Sequence, residues 1–313
     1  MSSSSVPDNR ISLHKLEVFC SVVERGGVRL AAEDLFVSQP VVSAHLRSLE
    51  ERLKVKLFRR DGRGMKLTEA GVEVHQWATE VLRGRTELDR SLRDISRGVA
   101  GRASIGSSMS VGNYVLPHIL VDFRQKHPHA SISLHQSSVE VALERTLDGR
   151  HDFAAVATDA VLDANSFEAE LIAQPPFCLV TAPDDEEIGG SVSVDELGML
   201  SFICPPAGMA IRRSQDSALA SIGVWDRRVE MELGSAESMK VAVRGGLGVA
   251  LLWRQSVLRE LEAGLLREVR IDGHTLHDKL YLVQRRGKKL TAFQSTLIAV
   301  LKEGIHKQLD QHL

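Results

Sequence analysis

The 313-residue chain has three cysteines, few aromatics, almost no net charge and no long apolar run. Each scarcity excludes something. Cys20, Cys178 and Cys204 are widely spaced and odd in number, which argues against a disulfide framework and for a reducing compartment. No apolar run reaches the roughly 18 residues of a membrane span. The start, MSSSSVPDNR, lacks the apolar stretch of a secretion signal and reads as a short disordered tail. A cytoplasmic location is expected by exclusion. The net charge of −2 gives no nucleic-acid signal by itself. G-x-S-x-G, H-E-x-x-H and a P-loop are all missing, so no enzyme of those types is expected. Gly245-Gly246-Leu247-Gly248 follows a helical run and precedes a strand, the reverse of the order that phosphate binding requires. His127, His129 and His135 lack a compact set of thiol or carboxylate partners, and a helix-end dipole accounts for His127. Neither a metal nor a cofactor is expected.

What charge there is lies unevenly. Residues 52–66, RLKVKLFRRDGRGMK, hold seven basic residues (Arg52, Lys54, Lys56, Arg59, Arg60, Arg63, Lys66) against the single acid Asp61. A basic patch in a neutral protein is an electrostatic footprint for phosphate. The length exceeds one ordinary core, so two or three domains are expected.

Just before the patch, SQPVVSAHLRSLEERL (38–53) reads as a helix with two faces. Val42, Leu46, Leu49 and Leu53 recur at i, i+4, i+7 and i+11, the spacing of one buried stripe. Gln39, Ser43 and Arg47 fall on another face. Ser38 is placed to cap the start with its hydroxyl, and Pro40 sits where its missing N–H costs nothing. Two shorter helices precede it. One is capped by Ser12, with Leu13, Leu16, Cys20 and Val23 inward, and ends at Gly26-Gly27. The other covers 28–35, with Val28, Ala31, Ala32 and Leu35 inward. Beyond it, Val55-Leu57-Phe58 and Met65-Leu67 flank the turn Asp61-Gly62-Arg63-Gly64, a two-stranded wing with arginines at its tip. Two short helices, a tight link and a helix with a polar N-terminal face make a helix-turn-helix. Gln39 can pair with adenine and Ser43 with several bases. Arg59, Arg60, Arg63 and Lys66 can neutralise phosphates.

Residues 13–71 resemble the N-terminal domain of LysR-type transcriptional regulators. The resemblance rests on Leu13, Leu16 and Phe19; Ala31-Ala32-x-x-Leu35; Val37-Ser38-Gln39-Pro40-x-Val42-Ser43; Leu46-x-x-Leu49-Glu50; Leu57-Phe58-x-Arg60; and Leu67-Thr68-x-Ala70-Gly71. Two positions depart from the family pattern: Gly27-Val28 replaces Ser-hydrophobic, and Ala44 replaces a basic residue after Ser43. Base reading is therefore expected from Ser38, Gln39, Pro40 and Ser43, with His45 and Arg47 as additional candidates.

From Thr68 a long polar helix runs to about 97. Val74, Trp77, Val81, Leu88, Leu92 and Ile95 fit a heptad seam with one skipped position at Gly84 or Arg85. Its mixed-charge flanks suit a coiled-coil surface, the alternative being packing on its own domain. A helix-turn-helix pair needs a partner to span two half-sites, and the resemblance likewise implies a dimer through this helix, or a tetramer. Gly98 to Gly101 reads as a hinge. The expected organisation is a winged helix-turn-helix at 11–68, a linker helix at 69–97 and a regulatory domain at 101–313.

In the last part strands and helices alternate, the rhythm of parallel sheets covered by helices. The resemblance implies two lobes like those of periplasmic binding proteins, the first about 101–170 and 275–313, the second about 171–274, with a ligand cleft between. Ligands in such sheets sit beyond the carboxyl ends of strands. The candidate loops are Ser107-Ser108-Met109-Ser110, Gln136-Ser137-Ser138, Pro205-Pro206-Ala207-Gly208 and Gly234-Ser235-Ala236. Expected effector contacts are Ser107, Ser108, Met109, Ser137, Ser138, Pro206, Gly208 and Ser235. Hydroxyls and free N–H groups with little charge suit a small anion, although any one serine could simply be a helix cap.

The expected function is therefore sequence-specific binding to double-stranded promoter DNA at an inverted repeat, switched by a small, anionic effector, with RNA polymerase as a further partner. A thiol-based sensor through Cys204 and Cys178 is one alternative; Cys178 lies in an apolar strand, and no CxxC or basic neighbour stands beside either in the sequence. A two-lobed solute binder or enzyme that uses its N-terminal domain only for assembly is another. The 52–66 patch separates this last class, since assembly needs no such charge.

Overall fold

A computed structural model describes residues 11–61, 64–96 and 101–310. The expected tail at 1–10, most of the hinge at 98–100 and Arg63 lie outside them. The chain divides into two compact units, 1–93 and 94–313. No helix among the described residues is long and apolar enough to cross a membrane.

The first unit contains α1 (Leu13–Glu24), α2 (Val28–Asp34), α3 (Gln39–Leu53), the antiparallel hairpin β1 (Phe58–Asp61) and β2 (Gly64–Leu67), and all but the last three residues of α4 (Glu69–Ser96). Val42, Leu46 and Leu49 of α3 are buried against Leu16, Phe19, Ala31 and Ala32, as the 3.6-residue spacing requires. Neither Ser12 nor Ser38 caps with its side chain, although both hold the extended backbone of an N-cap. The Ser38 hydroxyl and the free N–H groups of the first turn are thus not used on each other.

The root of the wing is fixed by polar groups. Thr68 Oγ1 donates to the Lys56 carbonyl (2.6 Å) and accepts from Gly71 N (2.9 Å). A Cβ on Gly71 would overlap the Leu57 carbonyl, so α4 can pass this close to the wing only with glycine there. Glu50 accepts from Leu57 N (2.9 Å) and Lys56 Nζ (2.6 Å). Burial opposes its ionisation, yet Lys56 and the backbone N–H groups hold its carboxyl below the usual range.

Along α4 the expected seam divides. Val74, Ala78, Val81 and Leu82 pack into the unit's own core, while Trp77, Leu88 and Leu92 are exposed (44, 57 and 55%). The expectation that Val74 and Val81 belong to an intermolecular seam is corrected accordingly.

In the second unit the first lobe consists of β3 (Gly101–Ser108), α5 (Met109–Tyr114), α6 (Leu116–Lys126), β4 (Ala130–Ser137), α7 (Val139–Leu147), β5 (Phe153–Ala157) and β6 (Phe167–Ala173). The chain then builds the second lobe: β7 (Phe177–Thr181), β8 (Ser191–Val192), α8 (Val194–Met199), β9 (Ser201–Cys204), α9 (Ala210–Ala220), β10 (Arg228–Glu232), α10 (Ala236–Arg244), β11 (Ala250–Trp253), α11 (Arg254–Glu262) and β12 (Arg267–Ile271). It returns for β13 (Leu280–Arg285) and α12 (Ala292–Asp310). Sheet orders are β4-β3-β5-β13-β6 in the first lobe, and β11-β7-β12-β8 with the parallel pair β10-β9 in the second. The two connecting segments lie side by side: Phe177 N donates to Leu276 O (2.8 Å) and Asp278 N to Pro175 O (2.9 Å).

The expectation of parallel sheets holds only for β3, β4 and β5 and for the outer pairs β9–β10 and β8–β12. β13 is antiparallel to β5 and β6, and β7 is antiparallel to β11 and β12. The double crossing accounts for part of this. β6 and β13 lead out of and back into the first lobe, and β7 and β12 enter and leave the second, so each pair runs in opposite directions. α5 and α6 are separated at Val115 (φ −115°, ψ −60°), where Pro117 supplies no N–H to the preceding turn.

Candidate functional site

On the first unit, residues 36–41 are exposed without interruption up to buried Val42. This run contains Ser38, Gln39 and Pro40 at the N-terminus of α3. Ser43 is half-buried and Arg47 exposed, with Arg47 Nε 3.4 Å from the Ser43 carbonyl. His45 is placed differently. Its ring meets that of His14 on α1 edge-on at 4.9 Å, and burial, then His14 and Lys15, lower its pKa. Lys15 Nζ donates to Ser48 Oγ (2.8 Å), so this side of α3 is tied to α1.

The hairpin register sets Arg59 directly opposite Lys66, both exposed. Like charges at opposed positions are unfavourable in isolation and suit a polyanion. Arg60 pairs with Met65 on the backbone ladder.

On the second unit, four loops follow strands β3, β4, β9 and β10 and lead into α5, α7, α9 and α10. Two adjoining cavities lie among them, of about 440 Å³ and about 80 Å³. They share Met109, Ser110, Met209 and Ile211. The larger is walled also by Ser108, Ser137, Ser138, Glu140 and Gly208. The smaller is walled by Asn113, Tyr114, Pro205, Ser235, Glu237, Met239 and Trp253. Of the expected contacts, Ser108, Met109, Ser137, Ser138, Gly208 and Ser235 are brought together here.

Ser107 and Pro206 are not. Ser107 is fully buried, its hydroxyl without a partner. It lies behind the wall, where a Cβ on Gly112 would overlap its Oγ. Alternation along β3 turns Ser107 and Ser108 to opposite faces, so only one of them can face the cavity. In the proline pair it is Pro205 that forms wall. Several wall serines are also engaged. Ser108 Oγ accepts from Ala157 N (3.1 Å), Ser138 Oγ from Val141 N (3.4 Å) and Ser235 Oγ from Ser238 N (3.2 Å), while Ser137 Oγ donates to the Ser138 carbonyl (3.1 Å).

Among the described residues, Tyr114–Glu237 and Arg213–Glu140 are side-chain hydrogen bonds that join the lobes across the cleft, and sequence reasoning missed both. Tyr114 OH donates to Glu237 Oε1 (2.8 Å), and Arg213 Nη2 to Glu140 Oε1 (2.9 Å). Arg213 Nη1 also reaches the Gly208 carbonyl (2.6 Å). The partners are 73 and 123 positions apart, so no local pattern announces them. The one available hint was that the chain has only two tyrosines.

Cys178 and Cys204 are free and fully buried, in different core clusters. Burial pushes both thiols up. In the fold Cys204 gains two basic neighbours distant in sequence, Arg227 and Arg212, but burial outweighs them. A buried thiol held protonated is a poor redox sensor. No metal-binding cluster is found among the described residues. His127 instead stacks on Phe123 (4.2 Å) and His135 on His151 (5.1 Å).

The family model described as "Bacterial regulatory helix-turn-helix protein, lysR family" matches residues 13–72, and that described as "LysR substrate binding domain" matches residues 96–305. A probable RuBisCO transcriptional regulator of Cyanidioschyzon merolae is 32% identical, over 88% of this chain and 92% of its own length. One from Nostoc sp. is 30% identical, over 93% and 89%. Among solved structures, HinK, a LysR family transcriptional regulator from Pseudomonas aeruginosa, has the same fold at 23% identity, with a TM-score of 0.59 over 96% of this chain and 100% of that one. With an exposed reading helix and basic wing in one unit and a two-lobed cleft in the other, the chain belongs to the lysR family of bacterial regulatory helix-turn-helix proteins and is a DNA-binding transcriptional regulator with an effector-binding domain.

Proposed function

We propose that this regulator reads its site with the first turns of α3 and is switched by a small organic anion with an apolar body, held between the two lobes. Ser38, Gln39, Pro40, Ser43 and Arg47 form the reading face, and Arg59, Arg60, Arg63 and Lys66 take phosphates. His45 holds α3 to α1 rather than reaching bases. The exposed Trp77, Leu88 and Leu92 stripe of α4 joins two copies, which then meet an inverted repeat in the cytoplasm.

The observation that carries the effector reading is the convergence of four helix N-termini, at Met109, Val139, Ala210 and Ala236, on the walls of two joined cavities. Each N-terminus directs free N–H groups and a partial positive charge outward. The remaining walls are largely apolar, with Met109, Met209, Ile211, Met239, Leu252 and Trp253 among them. A carboxylate fits the N-termini, and an apolar body fits the methionines, which adapt their shape. Closing the lobes on it shifts the population of lobe arrangements, and with it DNA binding. We assign no catalytic role: the described walls carry no His, Lys or Cys, and both glutamates are held in lobe contacts.

Calorimetric titration of the full chain with short aliphatic carboxylates, aromatic carboxylates and their neutral amides tests this. At least one carboxylate is expected to bind, its amide far more weakly. Ser110→Asp puts a fixed negative charge in the second position of α5, where folding tolerates it, and should abolish binding. Equal binding of acid and amide, or an unaffected Ser110→Asp variant, would overturn the reading.

A further inference from the structure

The segment that closes α2 contains an unusual residue. Phe36 has φ +55°, the left-handed region that a bulky side chain rarely adopts. Its N–H bonds the Glu33 carbonyl (3.3 Å), and the Val37 N–H bonds the Ala32 carbonyl (3.0 Å). That pair of bonds is the left-handed helix termination at which glycine is usual and asparagine next. The Phe36 side chain is 96% exposed. The fold therefore holds a phenyl ring on a strained backbone and packs nothing against it. Either glycine or asparagine would serve this turn better, so neither folding nor packing accounts for the ring.

Its position suggests what does. Phe36 lies two residues before Ser38 and three before Gln39, in the same exposed run as Val37 and Val41 (38 and 41% exposed). The acids beside it are already paired: Asp34 with Arg25 (2.6 Å) and Glu33 with Arg29 (2.8 Å). The apolar patch is therefore continuous with the DNA-reading end of α3 and is not flanked by bare negative charge. In a major groove, the apolar feature that a phenyl ring can recognise is the 5-methyl group of thymine.

We infer that Phe36, supported by Val37 and Val41, reads a thymine methyl group in each half-site of the operator. The inference rests on the reading of α3 as the base-contacting helix. It adds an apolar element of specificity to a face otherwise made of hydroxyl, amide and guanidinium groups.

The experiment uses the full chain and a duplex enriched by the wild-type protein from a randomised pool. The duplex is prepared with thymine and, position by position, with uracil, which lacks only the methyl group. Wild type should lose roughly fourfold in affinity at one thymine of each half-site, the worth of about one buried methyl. Phe36→Gly and Phe36→Asn both suit the left-handed turn. Each should bind the thymine duplex about tenfold more weakly than wild type and show no response to uracil at that position. Meanwhile Phe36→Gly should leave the thermal midpoint unchanged or raise it by a few degrees, because strain is relieved. Gln39→Ala is the control. If it loses affinity while Phe36→Gly binds as wild type does, the inference falls and α3 remains the reading helix. If neither variant loses affinity, the reading of α3 falls, and the inference with it. If the Phe36 variants change the oligomeric state instead of the uracil response, the ring packs on a second copy and the inference is wrong.

Discussion

Tyr114 at the end of α5 and Glu237 at the start of α10 are joined by a 2.8 Å hydrogen bond that spans the two lobes. Lys240 Nζ approaches the same Glu237 carboxylate at 2.8 Å. Burial opposes ionisation of Glu237, but Lys240 and Tyr114 hold its carboxyl below the usual range. Arg213 and Glu140 make the second bridge. The N–H of Glu140 and Arg213, working against burial, likewise lower that carboxyl. Both bridges thus depend on an ionised glutamate beside a helix N-terminus, and the candidate effector cavities adjoin both.

Tyr114→Phe keeps the ring and removes one bridge. The free protein should then spend more of its time with the lobes apart. An effector that needs them together must supply the difference, so its affinity falls. A hydrogen bond to a charged group contributes about 1.5–3 kcal/mol, but this one is solvent-exposed, so the expected loss falls below that range, roughly three- to tenfold by calorimetry. Unchanged affinity would mean that the bond does not discriminate between lobe arrangements.

For the wing, Arg59→Ala and Lys66→Ala each remove one member of a like-charged cross-strand pair. DNA affinity should fall by a similar factor for specific and non-specific duplexes, since phosphate contacts carry no sequence information. The slope of log K against log salt should shrink by about 0.9 for each phosphate that is no longer neutralised. A loss confined to one DNA sequence would instead place these residues on base edges.

The wing root is where local sequence and fold agree most closely. Gly71→Ala forces a Cβ into the Leu57 carbonyl and should cost about 1–3 kcal/mol by denaturant midpoint. Glu50→Ala leaves the Leu57 N–H without its acceptor, a loss of similar size. DNA binding should weaken in both variants because the wing loses its anchorage to α3 and α4.

What could be read in the chain divides along the same lines. The stripe Val42, Leu46, Leu49 and the motif Thr68 to Gly71 involve short-range periodicity and caps, so residue order alone exposes them. The left-handed state of Phe36 was invisible because no glycine or asparagine marked it. β6 (FEAELIA) and β12 (REVRI) give little strand signal in the sequence, because their charged residues sit on partly exposed strands, where apolar alternation is weak. Ser107 and Ser108 cannot both face the cavity, because the period of two sends neighbours on β3 to opposite faces. The bridges Tyr114–Glu237 and Arg213–Glu140 arise from the double crossing between lobes, which brings together residues far apart in sequence.

His151 makes the chain sensitive to acid. It is 2% exposed, its Nδ1 lies 3.3 Å from Ser104 Oγ, and its Nε2 has no hydrogen-bond partner. Burial, reinforced by His135 and Arg145, lowers its pKa to about 4 from 6.5. Above pH 6.5 the folded and unfolded chains both carry it neutral. Between pH 6.5 and about 4 only the unfolded chain takes up the proton, so stability falls as pH falls through this window. His151→Phe keeps an aromatic ring beside Gly106, where a Cβ would already overlap the imidazole, and removes the titration. Its denaturant midpoint at pH 7.5 should lie close to that of wild type, with a modest loss from the missing Ser104 contact, and its decline between pH 6.5 and 4.5 should be shallower. An equally steep decline in the variant would move the acid sensitivity to other groups, with the depressed carboxyls of Glu50, Glu140 and Glu237 the first to test, because each loses its stabilising charge as pH falls through its own lowered pKa.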